Sequence, residues 1–116
     1  MGLFDRLRRR RRTGGAKPAR SEDTEYLRAW AAQRRGVEGF VEPPTAMTQT
    51  TLVLVAHDGE WTRRRVSSAD AAHRFTNKLG IPFYEVTKTG YPQRMRDYQA
   101  RQRALRKRQY RRSLGE

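Results

Sequence analysis

Cysteine is absent from the sequence, which excludes disulfides, thiolate metal sites and a cysteine nucleophile, and suits a reducing compartment. Apolar residues are scarce at 35%, against 33% charged, a balance that on its own favours disorder. They concentrate, however, between Tyr26 and Tyr98, so a folded centre of about 70 residues is expected, small but able to fold alone. Long apolar runs are also missing. The longest, Leu52–Ala56, falls far short of the roughly 20 residues that span a bilayer. Residues 1–12 lack the apolar centre of a signal peptide, and Arg6 stands where an N-myristoylation pattern requires Ser or Thr. A cytoplasmic chain is therefore expected.

The motifs of catalysis are missing as well. There is no glycine-rich phosphate loop, serine elbow or His-Glu-x-x-His. His57 and His73 have no partner at ligand spacing and read as surface residues. Glu38 and Glu42, the one conceivable carboxylate pair, read as solvent-facing positions of a short strand. The expectation is a protein that is not an enzyme and that uses no metal and no cofactor.

What the sequence does have is positive charge, placed at its two ends. Residues 1–20 hold eight Arg or Lys against one acid, a net of +7, and residues 88–116 hold ten against two, a net of +8. Residues 21–87 hold eight against nine, a net of −1. Codon bias toward arginine would spread the charge evenly. A neutral centre with basic extensions is instead suited to a polyanion, nucleic acid first and an anionic membrane surface second.

Local patterns divide the chain into a disordered basic tail over residues 1–20, a compact domain over 21–99 and a projecting basic helix over 100–116. Asp23 is a plausible N-cap for a helix to about Arg35, with Tyr26, Leu27, Trp30 and Ala31 as its apolar stripe and Gly36 beyond its end. Val37–Val41 reads as a short strand closed by Pro43 and Pro44. Thr51–Ala56, an Asp58-Gly59 turn and Trp61–Val66 read as a hairpin. A type I′ two-residue loop would set Ala56 opposite Trp61, Leu54 opposite Arg63 and Leu52 opposite Arg65. Trp61, Arg63 and Arg65 then share one face, with Arg64 on the other. Ser67 and Asp70 match a capping box opening a helix that buries Ala72, Phe75 and Leu79 and stops at Gly80. Ile81–Thr87 reads as an edge strand, and Pro92 starts a last helix to about Arg112. The fold class is α+β: a small mixed sheet of three or four strands with a β-hairpin, two packed helices, and a long projecting C-terminal helix. A βαβ crossover through residues 67–80 is expected.

The last helix carries a seam of Tyr91, Met95, Tyr98, Gln102, Leu105 and Gln109 that is apolar only in its first half. Tyr91–Tyr98 should dock on the domain. The remainder should project with its cations, which repel one another and lack acids at i,i+4. Phosphates would relieve that repulsion. Candidate nucleic-acid contacts on this helix are Arg94, Arg96, Arg101, Arg103, Arg106, Lys107, Arg108, Tyr110, Arg111 and Arg112. The run Arg8, Arg9, Arg10, Arg11 and Arg12 forms a second basic arm, each guanidinium able to pair two hydrogen bonds with a phosphate. Trp61 beside Arg63, Arg64 and Arg65 suggests a small platform for single-stranded nucleic acid, although Trp61 serves equally as a core residue. Tyr98, Tyr110, Gln99, Gln102 and Gln109 among the arginines favour RNA, where rings stack on unpaired bases and amides reach base edges. Heptad leucines of a dimeric basic-zipper DNA binder are missing. Leu3, Phe4 and Leu7 beside the arginine run leave an interfacial membrane contact open.

The segment Tyr91–Arg101, preceded by Gly36–Pro43 and Asp58–Val66, resembles small basic proteins of high-GC Gram-positive bacteria. The resemblance covers most of residues 25–103; it implies a bacterial cytosolic setting and carries over no function and no site. The layout is also similar to ribosomal proteins, compact bodies with basic extensions, by analogy alone. The expected function is therefore binding of structured RNA by a monomer, most concretely rRNA within the ribosome. The alternatives are a nucleoid or transcription-associated DNA binder and a peripheral protein on anionic membranes.

Overall fold

The computed structural model describes residues 21–115, so the basic tail of residues 1–20 and its run Arg8–Arg12 lie outside the described residues. Within them the order is α1 (Ser21–Ala32), β1 (Glu38–Glu42), β2 (Thr51–Val55), β3 (Trp61–Arg65), α2 (Ala69–Lys78), β4 (Phe83–Glu85), a single turn α3 (Val86–Thr89) and α4 (Gln93–Ser113). The strands form one four-stranded sheet in the order β3-β2-β1-β4. β1 and β3 pair antiparallel with β2, and β4 runs parallel to β1 at the edge. The fold is α+β with a mixed sheet, as the sequence pattern predicts.

The unbroken apolar run of β2 is explained by layers on both sides. Leu52 and Leu54 join Leu27, Trp30, Val41 and Ala72 in a core beneath α1 and α2. Val53 and Val55 point the other way and close a second core with Phe40 and Met95, the latter from α4. A strand covered on both faces reads as continuous rather than alternating hydrophobicity. Helix α2 approaches the sheet closely where β1 has Gly39, since a Cβ there would lie 2.9 Å from Cγ2 of Thr76. Thr76 is fully buried, and its hydroxyl is satisfied by the carbonyls of Ala72 and His73. This residue takes the inward position assigned above to Leu79, which is 37% exposed.

The hairpin is real but its register differs by one residue. Val55 faces Trp61, Val53 faces Arg63 and Leu52 faces Arg64. A type I′ turn needs positive φ at Asp58, and no non-glycine among the described residues has it. The loop is instead His57-Asp58-Gly59, closed by the Gly59 amide on the Ala56 carbonyl (3.0 Å) and by the Asp58 carboxylate on the Glu60 amide (3.0 Å). Because side chains alternate, this slip puts Trp61, Arg63 and Arg65 on the face of Val53 and Val55, beside α4, rather than on the face of Leu52 and Leu54. Other boundaries shift more modestly. Ser68, not Ser67, caps α2 through the Ala71 amide. Asp23 lies inside the first turn of α1, with its Oδ1 3.7 Å from the Arg64 guanidinium, rather than acting as a cap. The strand expected over Ile81–Thr87 shrinks to three residues, because Ile81 packs on the first core and Val86 begins α3.

Gly59 has a φ of +91°, and a Cβ on it would stand 1.9 Å from the Arg94 carbonyl oxygen of α4. Backbone and neighbour both require glycine there. Gly59→Ala should destabilise the domain by about 2–5 kcal/mol, combining left-handed strain with overpacking. Urea unfolding checks this; a change below about 0.5 kcal/mol would show that the hairpin tip does not bear on α4.

A candidate nucleic-acid interface

The C-terminal helix is fastened over its opening turns, as far as Arg101, and carries its unpaired cations beyond them. Met95 sits 4% exposed among Phe40, Val53 and Val55. Arg94 donates from Nε to the Ala56 carbonyl (2.9 Å), from Nη2 to the Val55 carbonyl (3.3 Å), and pairs with Glu38 at 2.5 Å. Tyr91 donates its hydroxyl to Glu42. Nearly two turns past Met95, Arg101 donates to the Asp58 carbonyl at 2.8 Å. These contacts hold the helix against the turn end of the hairpin. Gln93–Ser113 at about 1.5 Å per residue then extends roughly 30 Å, well beyond the sheet.

The arginines of β3 are used within the domain. Arg63 makes a two-pronged pair with Glu42 (2.7 and 3.0 Å), with its guanidinium 5.2 Å from the centre of the Trp61 ring. Arg64, on the opposite face, lies 3.7 Å above the Tyr26 ring and beside Asp23. Trp61 is half-buried against the second core, and Arg65 is exposed with no side-chain partner among the described residues. Trp61, Arg63 and Arg65 share a face as expected, but Arg63, Arg64 and Arg94 already have partners. Among the described residues, Arg96 reaches only Gln93, one turn back on the same helix.

Beyond Gln99 the pattern reverses. Arg103, Arg106, Lys107, Arg108, Arg111 and Arg112 are all exposed and have no hydrogen bond or ion pair among the described residues. No acid stands between Ala100 and Gly115. The segment stays helical because Ala, Arg, Gln, Leu and Lys are good helix formers, and because Arg111 and Arg112 meet the negative end of the helix. Tyr110, 66% exposed, lines a shallow depression with Arg103, Arg106, Lys107 and Arg111. The body differs sharply: Glu42 with Arg63, Glu60 with Arg34, Glu38 with Arg94 and Asp23 with Arg64 balance one another there.

Glu38 and Glu42 were missed by sequence reasoning, which placed them in solvent. They flank Phe40 at alternate positions of β1, on the face that α4 covers. The available signal was that spacing together with a helix whose opening residues include Tyr91 and Arg94. His57 and His73 are exposed, the latter stacked on Phe83 at 4.7 Å. Among the described residues, no acidic or histidine cluster could hold a metal ion, and no helix is long and apolar enough to cross a membrane. No protein-family model, curated protein sequence or solved structure matches the chain.

Burial raises the pKa of Glu42, but hydrogen bonds from Arg63, Thr51 and Tyr91 outweigh it and hold the carboxyl below its ordinary 4.5. Its folded value being depressed, the latch contributes fully above about pH 4.5 and is lost as pH falls through the folded value. Glu42→Gln should therefore cost about 1–2 kcal/mol at pH 7, a difference that closes as pH falls from 4.5 through the lowered folded value. Denaturant melts across that range check it; a cost independent of pH would show that the charge on Glu42 is not what matters.

Proposed function

We propose that the chain is a non-enzymatic binder of structured RNA, with rRNA in the ribosome as its concrete setting, and that α4 is one of its two RNA-facing arms. The observation that carries this reading is the set of six exposed, unpaired cations on the projecting half of α4, facing no acid. Isolated in water, such a row repels itself; phosphates neutralise it and release their counterions. The exposed Tyr110 among these cations favours RNA over duplex DNA, because its ring can stack on an unpaired base. The second arm is the arginine-rich sequence of residues 1–20. The body spaces the two arms, and binding works by charge neutralisation and fit with no chemistry on the RNA.

Salt dependence tests the reading. With both arms neutralising about eight phosphates, log affinity for a structured RNA should fall with log salt at a slope of about −6 to −7. A chain ending at Gln102, which keeps the Arg101 contact, should keep its melting temperature, since surface changes away from buried contacts cost about 0.5 kcal/mol or less, while its slope falls by about half. A flat salt response on RNA would remove the reading. Loss on anionic vesicles alone would point to a membrane surface. In competition, structured RNA should displace the protein better than duplex DNA of equal charge; equal competition would reduce the function to general polyanion binding.

A further inference from the structure

Between β3 and α4 runs a crevice of about 440 Å³, lined by Trp61, Tyr98, Gln99, Gln102, Arg103 and Arg106. It lies on the side of the molecule where the docked half of α4 gives way to the free half. We infer that this crevice receives a single unpaired nucleobase of the bound RNA. The inference rests on the RNA-binding reading and specifies what the body, as opposed to the arms, contributes to it.

The lining has the composition such a ligand needs. Two aromatic side chains supply π-surface, and the volume falls in the range of small-ligand pockets. Gln99 and Gln102 lie half-buried, three residues apart on one helix face, and their amides have no hydrogen-bond partner among the described residues. An amide presents both a donor and an acceptor, the complement of a base edge. A phosphate alone would be served by the arginines and would leave both amides idle. Arg103 and Arg106 stand one and four residues beyond Gln102 on the same face, where the backbone of a nucleotide held in the crevice would pass.

The wall is also fixed in advance. The Trp61 ring is backed by Arg63 at 5.2 Å, and Arg63 is itself held at two points by Glu42. Tyr98 is pinned by its place against the hairpin tip, where its Cβ would lie 2.9 Å from a Cβ on Gly59. A rigid aromatic platform loses little freedom on stacking, so the base adds affinity without a large ordering cost.

Two hairpin RNAs with equal numbers of nucleotides test the inference, one fully paired and one with a single internal bulge. Anisotropy of the labelled RNA reads binding of the full chain, and tryptophan emission reads the crevice. Trp30 is 7% exposed and gives a constant background, leaving Trp61 as the responsive ring. The bulged RNA should bind about five- to one-hundred-fold more tightly and should quench emission, the range expected for one stacked base. Gln99→Ala with Gln102→Ala should weaken that preference several-fold and leave the salt slope as it is, since no charge is removed. Trp61→Phe, which keeps an aromatic ring, should retain part of the preference and lose the emission change. Equal affinity and unquenched emission with both RNAs would overturn the crevice and leave RNA binding by the arms intact. Failure to bind either RNA would overturn both.

Discussion

β2 must be covered on both faces, and that requirement organises the molecule. α1 and α2 cover Leu52 and Leu54, so only α4 remains to cover Val53 and Val55. Met95 does so with help from Tyr91, and the anchoring is local to the start of the helix. A 21-residue helix anchored by its opening turns has to extend past a sheet of five-residue strands. The projecting arm is thus a consequence of closing the second core with one end of a long helix.

The same geometry divides the arginines into two populations. Arg63 and Arg64 on β3 and Arg94 at the start of α4 satisfy carboxylates and carbonyls at the sheet surface, where half-buried pairs with two-pronged geometry are worth more than exposed ones. Those past Gln102 have no ion pair among the described residues. Net charge alone does not distinguish the populations, since the body contains arginine too; the ion pairs do. Arg35, Arg65, Arg74 and Lys78 are exposed on the body without side-chain partners among the described residues, but they are spread over the loop after α1, β3 and α2 rather than gathered in one row.

Much of this was legible in the sequence. The β-branched run of β2, the Asp58-Gly59 turn, Gly80 and Pro92 marked the elements, because each acts on its own neighbourhood. The hairpin register was not legible, since the choice between a two-residue and a three-residue loop depends on which face of β2 the helices need. The roles of Glu38 and Glu42 were likewise hidden, as a carboxylate on a strand reads as polar surface until a helix lies over it. The distal cations of α4 could be read directly, whereas Arg63 and Arg94 looked equally available and are not. For the crevice, Trp61 was visible as an aromatic beside arginines. Its alignment with Gln99 and Gln102, about 40 positions away, depends on tertiary packing.

The division of cations is tested most directly by neutralising each population in turn. In one variant Arg103, Arg106, Lys107, Arg108, Arg111 and Arg112 become Gln; in the other, Arg34 and Arg63 do. Melting temperature and the salt slope of RNA binding are measured for both. The first variant should melt with the parent chain and bind RNA with a slope shallower by about three. The second should melt earlier and keep the parent slope. If the two body arginines reduce the slope as much as the six distal cations, or if the distal set unfolds the domain, the separation between structural and RNA-facing arginines is wrong.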